Sequence, residues 1–339
     1  MSQPFALPNS TPGHGTIHLA LLAPDTPKLR TVNYQYPLKL VAPLPVRTDN
    51  EAATLVHTVY LLTYGGGLVA GDAIDLGVTL EARTRLTLLT QGSTKLFKSP
   101  SQDVVSRQAM TVTLAPGSAL CYLPDPVQPF RNSSFEQLQK YNIVVTESTG
   151  NSSCDGNKGS LCVLDWVSNG RPANGEDWSF FRYGSRNEVH ISQPNGVHKL
   201  LLRDNMVLNS QHISGSMAHR MDGLAVYGTL ILYGDMFAAL STFFLREFKA
   251  LPRIGNRKWD SGSDDEERLM DPALVKRLRR QQMEANSKVL WSAASVRGSV
   301  VVKFGAPTVE AGRRWLWTML SDEGSVVEQF GERALLCLR

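Results

Sequence analysis

Residues 58–80 read TVYLLTYGGGLVAGDAIDLGVTL. An apolar run from Thr58 to Tyr64 leads into three consecutive glycines, and Gly65, Gly67 and Ala70 have the G-x-G-x-x-A spacing of a dinucleotide loop. That loop needs a helix next, because the helix's first amides and its dipole hold the pyrophosphate. Here the sequel, Ala73 to Leu80, alternates and carries β-branched residues, so it reads as a second strand. Gly65, Gly66 and Gly67 instead supply backbone forms closed to residues with a Cβ, and Gly71-Asp72 closes the loop as a turn. By turn chemistry alone, Asp72 is a turn-former before it is a ligand.

The same texture extends to either side. Arg85 to Thr90, Ala109 to Leu114, Ile143 to Val145, Leu161 to Val167, Trp178 to Tyr183, Asn187 to Ile191 and Lys199 to Leu202 are short apolar or alternating runs broken by Gly, Pro, Asp and Asn. No helix of ordinary length is expected before Asp235, and no repeat of fixed period is visible. From Leu224 to Leu245 the sole charge is Asp235, which is long enough to span a bilayer. Gly228, Gly234 and Asp235 favour a buried strand, a turn with an N-cap, and a helix with the stripe Leu240, Phe244 and Phe248. Asp271-Pro272 opens another helix, whose Lys276–Arg280 run reads as a solvated face, with a localisation signal or an anion patch as the alternatives. A strand at Ser299 to Phe304 precedes a helix presenting Gly312, Trp315, Leu316, Met319 and Leu320 on one face.

The expected fold is therefore mainly β, an elongated stacked-sheet or β-helix-like architecture with a small helical part in the C-terminal third. It is taken as a single domain over 1–339, with a β-rich core over 17–233 and a mixed α/β part over 234–339. The polar stretches 147–160 and 255–267 read as mobile insertions, the first exposing Cys154.

Charge and composition narrow the function. The 339 residues carry 35 Lys+Arg against 31 Asp+Glu, a net charge of +4 that suggests no nucleic-acid partner. Four cysteines without a CxxC pair suggest neither a disulfide framework nor a zinc knuckle, and no secretory leader is visible, so a soluble cytoplasmic protein is expected. There is no GxSxG elbow, SxxK or P-loop, and the histidines are scattered. Two kinds of feature remain. Pro124 to Phe130, with Pro124, Asp125, Gln128 and Phe130, is a rigid segment that either meets a partner or joins two strands. Asp165, Glu176 and Asp204 sit in apolar or arginine-containing contexts, where a buried carboxylate must be paired, protonated or metal-bound.

Taken in order, Tyr36-Pro37-Leu38-Lys39, Gly65 to Asp72, Thr90-Gln91-Gly92-Ser93-Thr94-Lys95, Leu123-Pro124-Asp125-Pro126, Asp165-Trp166, and Gly170-Arg171 with Gly175-Glu176 resemble the urease accessory protein UreD (UreH) family. The likeness is strong from Ile17 to Tyr233 and weaker beyond. It implies a non-enzymatic maturation chaperone that binds urease apoprotein and UreF-like and UreG-like partners in a higher-order complex. It also implies transient nickel, with no organic cofactor, passing through an internal carboxylate-lined tunnel. Matched motif by motif, Asp72 and Asp165 become tunnel positions, with Glu176 and Asp204 as further acidic stations. Gly65, Gly66, Gly67, Gly71, Thr94 and Lys95 become supporting positions. The C-terminal helical part, which needs to bury an amphipathic stripe, is the expected UreF-facing region. Two alternatives stay open: a β-rich binding module without a metal role, and a dinucleotide-binding enzyme using Gly65 to Ala70.

Overall fold

The computed structural model describes residues 11–48, 54–145, 158–193, 198–209, 215–251 and 272–339. The expected insertions 147–160 and 255–267 fall outside these, apart from residues 158–160, as do Cys154 and Asp271.

The chain enters through an antiparallel pair, β1 (His14–Leu22) and β2 (Thr26–Tyr34), and then β3 (Leu38–Val41) and the short β4 (Val46–Arg47). Four coils follow. The first runs β5 (Leu55–Thr63), β6 (Gly67–Leu68) and β7 (Ala73–Leu80). The second runs β8 (Arg85–Leu89), β9 (Lys95–Leu96) and β10 (Ser106–Leu114). The third runs β11 (Ala119–Tyr122), β12 (Gln128–Pro129) and β13 (Ser134–Val144). The fourth opens with β14 (Ser160–Ser168), turns through the ladder of β15 (Gly170–Arg171) with β16 (Glu176–Asp177), and returns as β17 (Arg182–Ser192). Equivalent strands of successive coils pair in parallel: β5-β8-β11-β14 on one wall, β7-β10-β13-β17 on the other, and β6-β9-β12 along the corner. Parallel coils of unequal length make a β-helix-like stack without a fixed sequence period.

Antiparallel strands complete both walls. β18 (His198–Asn209) folds back on β17, giving the seven-stranded sheet A, β18-β17-β13-β10-β7-β1-β2. β19 (Val226–Tyr233), β20 (Leu290–Val296) and β21 (Ser299–Ala306) extend the other wall into sheet B, β20-β21-β19-β14-β11-β8-β5-β3. The β-rich and C-terminal parts thus share one sheet.

Sheet B is a middle layer. Its A-facing side chains, such as Leu61, Leu88, Leu120, Leu161 and Ile231, meet Ile17, Leu76, Val112, Tyr141 and Val189 of sheet A. Its other face, including Cys121, Cys162, Trp166, Leu230, Val302 and Phe304, is covered by C-terminal helices. The helix Val309–Glu323 buries Gly312, Trp315, Leu316, Met319 and Leu320, the stripe expected from its spacing. Each large apolar side chain so buried contributes roughly 1.5–3 kcal/mol. Because that stripe is satisfied inside the chain, the need to bury it gives no reason to assign UreF to this face.

Some expectations shift. The run Leu224 to Leu245 divides into β19, a 3-10 turn at Asp235–Phe237 and the helix Ala238–Lys249. Among the described residues no helix is long and apolar enough to cross a membrane. Gly234, with φ of 87°, rather than Asp235, precedes the 3-10 turn, since only glycine adopts that backbone freely. Trp178 to Tyr183 is not a strand throughout: Trp178 takes φ of 47° and its indole donates to the Leu224 carbonyl, so pairing resumes only at Arg182. The strand expected at Ile143 to Val145 is the end of the eleven-residue β13.

Candidate functional site

Side chains in β13 alternate, and Phe135, Gln137, Gln139, Tyr141 and Ile143 share the face toward sheet B. Parallel register carries this order into β17, placing Gln137 beside Ser185 and Gln139 beside Asn187. The β17-β18 hairpin then sets Asp204 opposite Asn187. Gln139, Asn187 and Asp204 thereby form one polar row across three strands. On sheet B, antiparallel register places Asp165, Thr229 and Lys303 in a second row, across β14, β19 and β21. The two rows face each other within a largely apolar interior.

Asp165, 3% exposed, joins them. Its carboxylate accepts from Ser185 Oγ at 2.5 Å, Asn187 Nδ2 at 2.7 Å and Gln137 Nε2 at 3.3 Å. Burial pushes its pKa up, opposed by the Ser185 and Asn187 hydrogen bonds; the nearby Asp204 charge adds to the rise. Burial also raises the surrounding phenols of Tyr122, Tyr141 and Tyr183, with the Asp165 charge contributing to each. Tyr141 in turn donates to Gln139 Oε1. At the far end of the rows, Lys303 Nζ donates to Asp204 Oδ1 at 2.6 Å and lies 3.3 Å from Thr229 Oγ1. Three polar atoms in this group are buried without a hydrogen-bond partner, Asn187 Oδ1, Asp204 Oδ2 and the Tyr183 hydroxyl. Among the described residues no three His, Cys, Asp or Glu gather as a metal-ligand set.

The other residues singled out in the sequence lie elsewhere. Asp72 closes the turn Val69–Asp72: its Oδ2 accepts from the Val69 amide at 2.8 Å, and its own amide donates to the Val69 carbonyl. Gly65 and Gly66 have φ of 73° and 74°, Gly71 has 86°, and all three supply left-handed turns. Gly67 is extended and sits against β9, where an added Cβ would fall 2.3 Å from the Lys95 carbonyl oxygen. The Lys95 side chain points outward, while Thr94 borders a cavity of about 20 Å³ with Thr90, Gln108 and Tyr122, room for one water.

Glu176 is held by Arg171, with Nε to Oε2 at 2.9 Å and Nη2 to Oε1 at 2.5 Å, and accepts from the Arg131 amide. The Arg171 hydrogen bond keeps its carboxyl below the usual glutamate range. The Arg171 guanidinium stacks 3.7 Å above the Phe130 ring. Nothing joins Asp72 or Glu176 by a hydrogen bond to the Asp165 group among the described residues.

The rigid Pro124–Phe130 segment is used internally. The Pro124 carbonyl accepts from Trp166 Nε1, and Gln128 Nε2 donates to the Gly170 carbonyl. Asp125, 7% exposed, accepts from Thr90 Oγ1, the Gly92 amide and Arg313. Pro124, Asp125 and Phe130 are buried, so as the chain stands they join strands and offer little to a partner. His14 and His18 lie on β1 and pair with different carboxylates, Asp75 and Glu81.

Sequence reasoning missed Gln137, Gln139, Ser185, Asn187, Thr229 and Lys303. A signal existed for the first two: in Ser134–Val144 the alternation is regular, yet two inward positions are glutamine.

The chain is a coiled β scaffold with one face covered by helices and a polar seam between its walls. The loop Gly65 to Ala70 leads into the strand β7 rather than a helix, so the strand-to-helix setting of a dinucleotide fingerprint is missing there. The family model described as "UreD urease accessory protein" matches residues 13–329. The chain is 32% identical over 263 residues to "Urease accessory protein 4" of Cryptococcus neoformans var. grubii, covering 70% of this chain and 75% of that protein. It is 30% identical over 276 residues to an "Uncharacterized urease accessory protein ureD-like" of Schizosaccharomyces pombe, covering 80% and 81%. To "Urease accessory protein D" of Arabidopsis thaliana it is 28% identical over 247 residues, covering 71% and 77%. The chain belongs to the UreD urease accessory protein family, which gives it a role in urease maturation.

Proposed function

We propose that this chain is a non-enzymatic maturation scaffold that binds urease apoprotein together with UreF-like and UreG-like partners, and that nickel destined for urease passes through the seam between sheets A and B. The observation that carries this reading is the pair of facing polar rows, Gln139-Asn187-Asp204 and Asp165-Thr229-Lys303, linked through Asp165. Apolar side chains would stabilise the interior more, so a polar seam of this length is a cost to stability that a function explains.

Its donor set suits passage better than storage. Carboxylate, amide and hydroxyl oxygens hold Ni²⁺ less tightly than thiolates or several imidazoles, and so release it. Among the described residues, the thiols of Cys121, Cys162 and Cys337 and the ring of His57, which bonds the Pro27 carbonyl, join no cluster of three or more metal-ligating side chains. Asp165 is the central station of this reading and Asp204 the outer one. Asp72 and Glu176, engaged in a turn and an arginine clamp, serve by shaping the coil corners.

The test is nickel loading of urease in cells carrying Asp165→Asn in place of the wild-type chain. Urease made in normal amount but poor in nickel, with the variant still pulled down by urease, supports the reading. Normal nickel content refutes passage through this seam.

A further inference from the structure

Lys303 has a feature that passage through Asp165 does not use. Its ammonium, a three-donor cation, sits 2.6 Å from Asp204 Oδ1 and 3.3 Å from Thr229 Oγ1, with the Tyr227 ring centroid 5.9 Å away. The lysine side chain is 36% exposed while the carboxylate beneath it is 11% exposed, so the cation covers the buried anion from the solvent side. Beside this pair lie two acceptors with no donor, Asp204 Oδ2 and the Oδ1 of Asn187, a residue only 1% exposed. Buried acceptors are normally satisfied, and leaving two unsatisfied next to a held cation is unusual. The ammonium thus lies between the Asp204 and Thr229 oxygens, and Asn187 faces Asp204 across the β17-β18 ladder.

We propose that Lys303 is a tethered stand-in for a divalent cation at Asp204. The ammonium and a metal ion cannot share this carboxylate, because two like charges a few ångströms apart in a half-buried site repel strongly. A divalent cation binds Asp204 Oδ2, with Asn187 Oδ1 as its neighbour across the ladder, as Lys303 swings toward the solvent it already reaches, and the returning ammonium expels it. No bond is made or broken; one cation replaces another. The exchange keeps the site occupied by charge at all times and keeps its metal affinity low. Taking nickel as the ion rests on the passage reading above; the exchange itself rests on the geometry of Lys303, Asp204 and Asn187.

The experiment is a calorimetric titration of NiCl₂ into the full-length chain and its variants at fixed pH and ionic strength. Lys303→Met is expected to tighten the Kd at least about tenfold, since the competing charge is gone while the oxygens remain. Lys303→Arg is expected to stay near wild type, and adding Asp204→Asn to Lys303→Met is expected to abolish the gain. If Lys303→Met does not fold, as judged by circular dichroism, Lys303→Gln removes the charge while keeping a donor and carries the same expectation. An unchanged or weaker affinity on loss of the lysine charge, or a gain that survives Asp204→Asn, overturns the proposal; the two orphan oxygens are then simply hydrated. An Asp204-dependent gain alongside normal urease loading by Asp165→Asn upholds the exchange and removes the passage.

Discussion

Asp165 carries a carboxylate whose burial raises its pKa above the ordinary 3.8. The folded state therefore holds this proton more tightly than the unfolded state, and its ionisation costs stability as pH rises from the unfolded value through the folded one. Asp165→Asn lacks that ionisation and keeps a similar shape, with Gln137 free to flip its amide toward the new NH₂. Melts of the two proteins from about pH 3.5 to pH 7 are expected to show the variant gaining on wild type as pH rises. A constant offset across that range would mean the Asp165 carboxyl is not perturbed. The position was legible because an aspartate inside Leu164-Asp165-Trp166-Val167 needs a partner. Its partners were not, since Gln137, Ser185 and Asn187 come from two other strands. Asp72 shows the reverse: its own turn chemistry placed it correctly, and the resemblance alone suggested a station.

Among the helices and coil corners, three substitutions separate charge, packing and backbone strain. Glu247 of the helix Ala238–Lys249 accepts from Arg277 and Arg280 of the helix Pro272–Ser287 at 2.8 Å, and Arg280 reaches Asp322 of the helix Val309–Glu323 at 2.6 Å. Burial opposes its ionisation, but the two arginines prevail and bring its pKa down from 4.5 to about 2. Stability from this clamp is fully present above 4.5 and is lost as pH falls toward 2. Glu247→Gln is expected to cost about 1.5–3 kcal/mol at neutral pH, since Arg277 and Arg280 lose a charged acceptor while Arg280 keeps Asp322. Its difference from wild type in denaturant melts is expected to shrink with acid; a difference independent of pH would assign the loss to packing. Gly67→Ala is expected to cost about 1–3 kcal/mol by overpacking the corner against Lys95, whereas Gly92→Ala, at φ of 80° with nothing within 4 Å, meets backbone strain alone. Equal urea midpoints for Gly67→Ala and wild type would contradict the close approach of β6 to β9. The helix stripe Gly312 to Leu320 and the strand Ala73–Leu80 were legible because each follows one period within a single element.

Across the chain as a whole, what escaped the sequence is register. Asp125 meets Arg313 188 residues away, and the row Gln139-Asn187-Asp204 is assembled by coils of unequal length, so no spacing along the chain announces either. The β-helix-like class was legible because strands recur with turn residues between them and long helices are confined to the C-terminal third. The sharing of sheet B between the coils and the last two strands was not, because an edge strand's partner is chosen by the face left open on folding.

The most direct measurement is the nickel content per urease in cells lacking this chain, with wild type or Asp165→Asn returned at equal expression. Wild type is expected to restore full loading, and Asp165→Asn to leave urease assembled with this chain but nickel-poor. Full loading by Asp165→Asn would show that nickel reaches urease without passing the seam between the two sheets.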